Sequence, residues 1–303
     1  MATPAPTANA PPNGAPDELK IVHPLAEMAT MFFRNYAAVA GLILLMFIVL
    51  FTFVGPYLHP IDPFEMVWAP FSAPGEEGFL FGTDYLGRDI LSRLLYGARL
   101  TLGVSLAATL IAYFVGVTLG VAAAVGGSTL DAVLSRINDA FLSLPTIMLG
   151  LIIIAAVGST IPILIITAGL IYASSVFRIA RALALDVMVS DFVEAARARG
   201  EGLWWVITRE ILPNIAMPLA TDFGLRLVFV ILFVSSLSFL GLGVQPPAAD
   251  WGSMVRENLA GLSYGSIAPI APAIAIATLT IGINLIVDDV SAWAGGKLAS
   301  RMV

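Results

Sequence analysis

The stretch Asp191-Phe-Val-Glu-Ala-Ala-Arg-Ala-Arg-Gly200, followed after a short interval by Leu212-Pro213, decides the fold class of this chain. It is a charged segment rich in small residues, set between long apolar segments that leave no room for it inside a membrane. A membrane protein that keeps such a helix on one face typically presents it to a soluble partner. We therefore expect an all-α integral membrane protein with an exposed amphipathic helix in this stretch.

Capping residues delimit this helix. Asp191 is placed to cap it, with Glu194 at its third residue as in a capping box, and Gly200 suits the left-handed position that ends a helix. The helix over 192–199 is then about 12 Å long at 1.5 Å per residue. Its small residues let a partner approach the backbone, and its basic residues offer contacts at the rim. The small residues are Ala195, Ala196 and Ala198, and the basic residues are Arg197 and Arg199.

The composition places the chain in a membrane. Of its 303 residues, 58% are hydrophobic and only 12% are charged, whereas soluble domains carry about a quarter charged residues. There are no cysteines, which excludes a disulfide framework and thiolate metal sites, and with 2 histidines we expect no histidine-based metal site. The arginines are scattered rather than gathered on one face, so nucleic acid is not an expected partner.

Long apolar segments predict six membrane-spanning helices. A helix needs about 20 apolar residues to cross a hydrocarbon core about 30 Å thick. The third and fourth segments are separated only by a turn with Gly and Pro, so they are predicted to form a helical hairpin. The segments that qualify are 36–57, 98–125, 142–157, 162–182, 215–240 and 267–287.

The distribution of Lys and Arg predicts that both termini are cytoplasmic. In that orientation most basic residues lie in inside loops and few lie outside. The loop 183–213 then faces the cytoplasm, where a soluble partner can reach it. Residues 1–30 have little to bury and are predicted to form a disordered cytoplasmic arm. They do not resemble a signal peptide, because no basic segment precedes the first apolar run.

The loop between the first two spans is predicted to lie outside the membrane. Its second half, 81–99, carries an apolar stripe on one side, and Asp89 and Arg93 are placed as an i,i+4 pair on the other. We expect a short amphipathic helix on the outer membrane surface, ended by Gly97.

The 191–213 region resembles the EAA loop of ABC-importer permeases, whose pattern is Glu-Ala-Ala, a short interval, Gly, and a later Leu-Pro. In that family the loop is a coupling helix that sits in a groove of the ATP-hydrolysing subunit. The resemblance implies an ATPase-coupling site. Its residues are Asp191, Glu194, Ala195, Ala196, Arg197, Gly200, Leu212 and Pro213.

The resemblance covers nearly the whole chain. The segments 81–89, 237–243 and 245–254 are similar to the peptide and nickel branch of the family, and in particular to the second permease of dipeptide and oligopeptide importers. The sequence departs from that branch at 235–236 and after residue 287. These departures leave the exact cargo open among a dipeptide, an oligopeptide, a nickel chelate and glutathione.

The family implies a type I ABC-importer permease fold with the cytoplasmic coupling helix already described. After the arm come the first transmembrane helix with its external loop, a permease core of five transmembrane helices, and a cytoplasmic tail. The corresponding ranges are 31–97, 98–290 and 291–303.

The family also implies partners. These are a second homologous permease subunit that completes a heterodimer, two ABC ATPase subunits, an external substrate-binding protein and the lipid bilayer of the bacterial inner membrane. No Walker-type Gly-x-x-x-x-Gly-Lys-Ser/Thr occurs in the chain, so ATP and magnesium are expected in the ATPase subunits, and this chain is expected to be neither an enzyme nor a cofactor binder. The charges expected to meet the binding protein are Asp84, Arg88, Asp89 and Arg256.

Asp222 and Arg226 lie four residues apart within the fifth span. Charges at membrane depth are costly and normally face protein or water, so one interpretation places both, with Ser235 and Ser236, along the translocation path. The alternative, which we favour, is that Asp222 and Arg226 neutralise each other as an i,i+4 pair.

Two other functions remain open at this point. An ion-coupled secondary transporter carries embedded acidic or histidine relays and broken helices, whereas the mid-span charges here are only Asp222 and Arg226. A non-transporting membrane scaffold has no reason to expose a thin, capped helix. Co-purification with an ATPase, and transport that collapses without it, separates the three functions.

Overall fold

The computed structural model describes residues 32–301, with side chains through residue 292. The arm expected at 1–30 lies outside the described residues. The described chain is helical, and its extended pairing is limited to two isolated bridges, Met66 with Arg88 and Thr83 with Asp89. Its helices are α1 (Tyr36–Leu58), α2 (Ile90–Val125), α3 (Ser128–Leu142), α4 (Thr146–Val157), α5 (Ile161–Met188), α6 (Asp191–Ala198), α7 (Leu203–Phe239), α8 (Trp251–Glu257) and α9 (Ile270–Arg301).

Among the described residues, 5 helices are long and apolar enough to cross a membrane, or 6 if the bent pair of α3 and α4 counts as one span. Side-chain caps fix where two of them begin. The Asn35 side chain accepts a hydrogen bond from the Ala37 N–H at the start of α1, and the Asp89 side chain accepts one from the Ser92 N–H at the start of α2. The predicted all-α membrane fold is confirmed.

The predicted separate surface helix before the second span is wrong. α2 runs without a break through Gly97 to Val125, so the outer segment and the span are one helix of 36 residues. Gly97 serves close packing instead of ending a helix, because a side chain there would meet Met254 Sδ at 3.2 Å and the Ala249 carbonyl oxygen at 3.2 Å.

The predicted third span is also different. α3 ends at Leu142, and the 12-residue α4 begins at Thr146 after a bend of 87°. Pro145 explains the break, because its ring disfavours helical backbone at Leu144, the residue before it. α4 alone is too short to cross a hydrocarbon core, but it packs against α5 as the predicted hairpin requires.

The fifth predicted span begins earlier than expected. Leu203–Phe239 is one helix of 37 residues, so it begins 12 residues before the expected start at residue 215. The chain passes through a π-helical stretch, Val206–Ile211, directly before Pro213. Proline lacks the N–H that an α-helical hydrogen bond at that position needs, and the wider π turn accommodates it. The last helix likewise continues past the boundary expected at residue 290.

Three layers of buried side chains hold the helices together. An outer cluster joins α1, α2, α7, α8 and α9 around Trp251, and a middle cluster joins α2, α4, α5 and α7. An inner cluster joins α2, α5, α6 and α7. α2 packs most extensively against α5, with Gly116 and Gly120 at the points of closest approach.

Candidate functional site

The helix that carries the EAA-like sequence is α6, and it starts at a different cap from the predicted one. Ser190 is the N-cap residue, and Asp191 is the first helical residue. The Ser190 carbonyl accepts hydrogen bonds from the Val193 and Glu194 N–H groups at 3.0 and 3.2 Å. Asp191 and Glu194 therefore contribute negative charge in the first turn, where the helix dipole favours it, rather than a side-chain cap.

The end of α6 is as predicted. Gly200 has a φ of +86°, the left-handed conformation that glycine adopts without strain. Its N–H donates to the Arg197 carbonyl at 2.9 Å, and the Glu201 N–H donates to the Ala196 carbonyl at 3.2 Å. These two bonds form a Schellman motif, which satisfies the last carbonyls of the helix. α6 is thus a short helix with a defined C-terminal cap.

The two faces of α6 differ sharply. Val193 is fully buried in the inner cluster, which also contains side chains of α2, α5 and α7, and Ala196, three residues on, is fully buried as well. Phe192, Glu194 and Ala195 are exposed. One face is therefore fixed to the membrane-spanning helices, and the other presents an aromatic ring, a carboxylate and a small residue.

The arginines of this segment rest partly on neighbouring side chains. Arg197 Nη2 lies 3.4 Å from Met188 Sδ, and the guanidinium of Arg199 lies 5.9 Å from the ring centre of Trp205. The expected Leu212 and Pro213 lie just past the π-helical stretch, and both are exposed. The residues predicted for coupling therefore occupy one region of the molecule.

The charges expected to be accessible on the outer surface are mostly buried. Asp84, Arg88 and Asp89 have at most 6% of their surface exposed. Arg88 Nε donates to Asp84 Oδ2 at 2.7 Å, and Asp89 Oδ2 lies 2.7 Å from His59 Nε2. The expectation that these three charges meet a partner directly is not supported by the fold, because they are used within it.

The predicted pairing of Asp89 with Arg93 is wrong. Arg93 instead contacts Asp84 at 3.3 Å and donates to Glu257 Oε2 at 3.0 Å. Burial raises the pKa of the Glu257 carboxyl above its ordinary value, although Arg88 nearby acts in the opposite direction. Sequence reasoning missed Glu257, because 164 residues separate it from Arg93 and no spacing rule connects them.

Arg256 differs from the other three outer charges, because its side chain is exposed. It lies on the last turn of α8, next to Gly241 at the end of α7. Of the charges expected at the outer surface, it is the one that remains available to a partner.

The charges in the fifth span form the expected pair. Arg226 Nη2 donates to Asp222 Oδ1 at 3.1 Å, and the Tyr113 hydroxyl of α2 donates to Asp222 Oδ2 at 2.6 Å. The geometry agrees with mutual neutralisation and ties α7 to α2. Ser235 is buried, and Ser236 donates to the Leu232 carbonyl of its own helix at 2.6 Å.

Among the side chains that the structure describes, no three His, Cys, Asp or Glu residues come together as a metal site.

Residues 116–295 match the family described as the binding-protein-dependent transport system inner membrane component. Residues 23–74 match the N-terminal TM domain of oligopeptide transport permease C. A putative peptide transport system permease protein of Brucella abortus is 37% identical over 88% of this chain and 89% of its own length. The di/tripeptide transport system permease protein DppC of Pseudomonas aeruginosa is 32% identical over 92% of this chain and 95% of its own length.

A solved structure with the same fold is that of the MetNI methionine ABC transporter in inward-facing conformations. It is 21% identical, with a TM-score of 0.52, over 66% of this chain and 95% of the compared chain. At this identity the likeness describes the arrangement of helices alone.

Proposed function

This chain belongs to the binding-protein-dependent inner membrane transport components, the permease subunits of ABC importers, and from that membership we propose that its cargo is a short peptide. The family consists of transporter subunits, so the chain is not itself an enzyme, and ATP is hydrolysed by separate ATPase subunits. Two observations support peptide cargo. The relatives described above are named for peptides, and the first span matches a domain named for oligopeptide transport.

The exposed face of α6 is the proposed coupling surface. Its partner is the groove of an ATPase subunit, where ATP and magnesium act. The observation that carries this proposal is the burial of Val193 in the same cluster as side chains of α2, α5 and α7. A push on α6 therefore moves three helices together as a packed body, which is how closure of an ATPase dimer can rock the permease between its two states.

A second, homologous permease subunit is the proposed cover for α3 and α4. These helices expose Val133, Ile137, Phe141 and Met148, together with the break around Pro145. Backbone that leaves the helix at membrane depth is tolerated only where protein or a water-filled cavity covers it. Lipid alone does not meet that requirement. The break is therefore covered by a neighbouring subunit and by the path that the two subunits share.

We place this assembly in the bacterial inner membrane, with both termini cytoplasmic and the 59–89 loop outside. An external binding protein delivers the peptide there, and Arg256 is the charge best exposed to meet it. The buried ion pairs of Asp84, Arg88 and Asp89 support this surface from within. The Ser235 and Ser236 region of α7 is proposed to lie near the path.

Reconstitution tests this function. The chain, a second permease, two ATPases and the binding protein encoded nearby are assembled in proteoliposomes, and ATP-dependent uptake of a labelled dipeptide is measured. Glu194→Lys is expected to abolish uptake while the complex remains inserted, and Glu77→Lys, at an exposed acid of the external loop, serves as the control. Wild-type uptake by Glu194→Lys, or no peptide uptake by the intact assembly, contradicts the proposal.

A further inference from the structure

A polar cavity lies between α3 and α5, away from the coupling helix and from the Asp222–Arg226 pair. Its volume is about 290 Å³, close to the lower end of the range for small-ligand pockets, about 300–1,000 Å³. One side of it is the polar stripe of α3, and the other is a basic stretch of α5. It is lined by Ser135, Asn138, Asp139, Phe177, Arg178 and Arg181.

One of its two arginines is already neutralised. Arg181 donates two hydrogen bonds to the Asp131 carboxylate, and the one from Nη2 to Oδ2 measures 2.6 Å. Ser135 Oγ lies 3.3 Å from Asp131 Oδ1. This pair fastens α3 to α5 and leaves little charge for a ligand. This ion pair accounts for the shape of the cavity, but it does not account for the polar groups of Asn138, Arg178 and Asp139.

The other polar groups have no such partners. Asn138 is only 8% exposed, and its Nδ2 makes no hydrogen bond in the structure. Arg178 and Asp139 are exposed at the cavity, and neither forms a salt bridge with any of the described side chains, those of residues 32–292. A buried donor without a partner costs about 1–3 kcal/mol, so the fold keeps this one at a penalty.

Arg178 lies on α5, a helix that qualifies as a membrane span. It is about 15 Å from the end of α5 that leads to α6, at 1.5 Å per residue. An ionisable residue in such a helix normally faces protein or a water-filled cavity and indicates a functional site. A purely structural charge at this place needs an acidic partner, as Arg181 has in Asp131.

An apolar cavity adjoins the polar one. It has a volume of about 450 Å³ and is lined almost entirely by aliphatic and aromatic side chains of α2, α3, α4 and α5. Asn138 and Phe177 line both cavities. A ligand held at this junction can place charged and amide groups in one compartment and an apolar side chain in the other.

We propose that this junction binds the translocated peptide in transit, with Arg178 taking its terminal carboxylate, Asp139 its terminal ammonium and Asn138 donating to a peptide carbonyl. The apolar cavity takes a hydrophobic side chain. This inference rests on the proposed peptide cargo, and it adds the residues that hold it. A zwitterion with amide groups and an apolar side chain satisfies all the free groups of both compartments together.

The test uses the complete importer in proteoliposomes, with its binding protein and ATPases. Uptake of alanyl-phenylalanine is compared with uptake of its C-terminal amide for the wild type, Arg178→Gln and Arg178→Lys. Because one binding protein serves every variant, its own preference cancels. Arg136→Gln, an exposed arginine of α3 outside the cavity lining, is the matched control.

Arg178→Gln is expected to lower kcat/KM for the free acid about tenfold to a hundredfold, the worth of a hydrogen-bonded charge, and to leave the amide nearly unchanged. Arg178→Lys retains most of the uptake, and Arg136→Gln behaves as wild type. Equal losses for acid and amide, or no loss for either, overturn the inference.

Asp139→Asn provides a second variant, for which uptake of the free peptide is compared with uptake of the N-acetylated peptide. This comparison tests the site if Arg178→Gln does not assemble. Different results contradict the peptide cargo and the binding site. Absence of peptide uptake by the wild-type importer contradicts the peptide cargo. Normal wild-type uptake with unchanged discrimination in the variants contradicts only this site.

Discussion

Ala195 and Ala196 are neighbours on α6 with opposite surroundings. Ala196 is fully buried against the spans, whereas Ala195 is exposed on the face assigned to the ATPase. The sequence pattern predicts both as coupling residues, but a helix turns by 100° per residue, so adjacent positions face different partners. Their substitutions therefore separate folding from coupling.

Ala195→Leu is expected to leave the unfolding temperature in detergent unchanged and to lower ATP-dependent uptake about tenfold, the effect of about 1.4 kcal/mol of lost contact. Ala196→Leu instead overpacks the buried face of α6 and lowers the free energy of unfolding by about 1–3 kcal/mol. Uptake at the wild-type rate by Ala195→Leu removes that face from the coupling surface.

Glu257 gives the external region a dependence on pH. Burial raises the pKa of its carboxyl in the folded protein, so the folded state binds its proton more tightly than the unfolded state does. The stability this group contributes is complete below its unfolded value of 4.5 and is lost as the pH rises through the higher folded pKa.

Glu257→Gln is therefore expected to flatten the fall in unfolding temperature measured in detergent from about pH 4 to pH 7. An unchanged slope shows that another group, such as the buried Asp250, whose pKa burial also raises, controls this range.

At the scale of helices, the apolar runs in the sequence predicted the positions of most spans. They did not predict the residues at which the helices begin and end. Gly97 was expected to end a helix and the fifth span to begin near residue 215, yet both positions lie inside longer helices. Gly97 makes room for Trp251 and Met254 of another helix, and the π-helical turn just before Leu212 accommodates Pro213. Pro145 does break a helix, because no neighbouring turn relieves its constraint on Leu144.

The packing of α2 on α5 depends on glycine. A methyl group at Gly116 lies 2.6 Å from Val176 Cβ and 2.7 Å from the Ala173 carbonyl oxygen, whereas one at Gly103 of the same helix meets nothing within 4 Å. Gly116→Ala is expected to cost about 1–3 kcal/mol and to lower the unfolding temperature. Gly103→Ala raises it slightly, because alanine favours helix by about 0.5–1 kcal/mol. Equal effects contradict this packing.

At the scale of the whole molecule, composition and one motif were enough to predict the membrane fold and the family. The networks were not predictable, because they join residues far apart in sequence. Arg93 meets Glu257 across 164 positions, and Tyr113 meets Asp222 across 109. The same holds for the inner cluster, which connects α6 to three spans and gives the coupling proposal its mechanical basis.

Contact between α6 and an ATPase subunit is the most direct test of that proposal. The chain has no native cysteine, so Ala195→Cys carries a thiol-linked photo-crosslinker at a single position, and Glu77→Cys carries it on the external loop. In the assembled importer, illumination is predicted to join the Ala195 position to an ATPase subunit and the Glu77 position to none. An ATPase adduct from the Glu77 position, or none from the Ala195 position in a complex that still transports, contradicts the account.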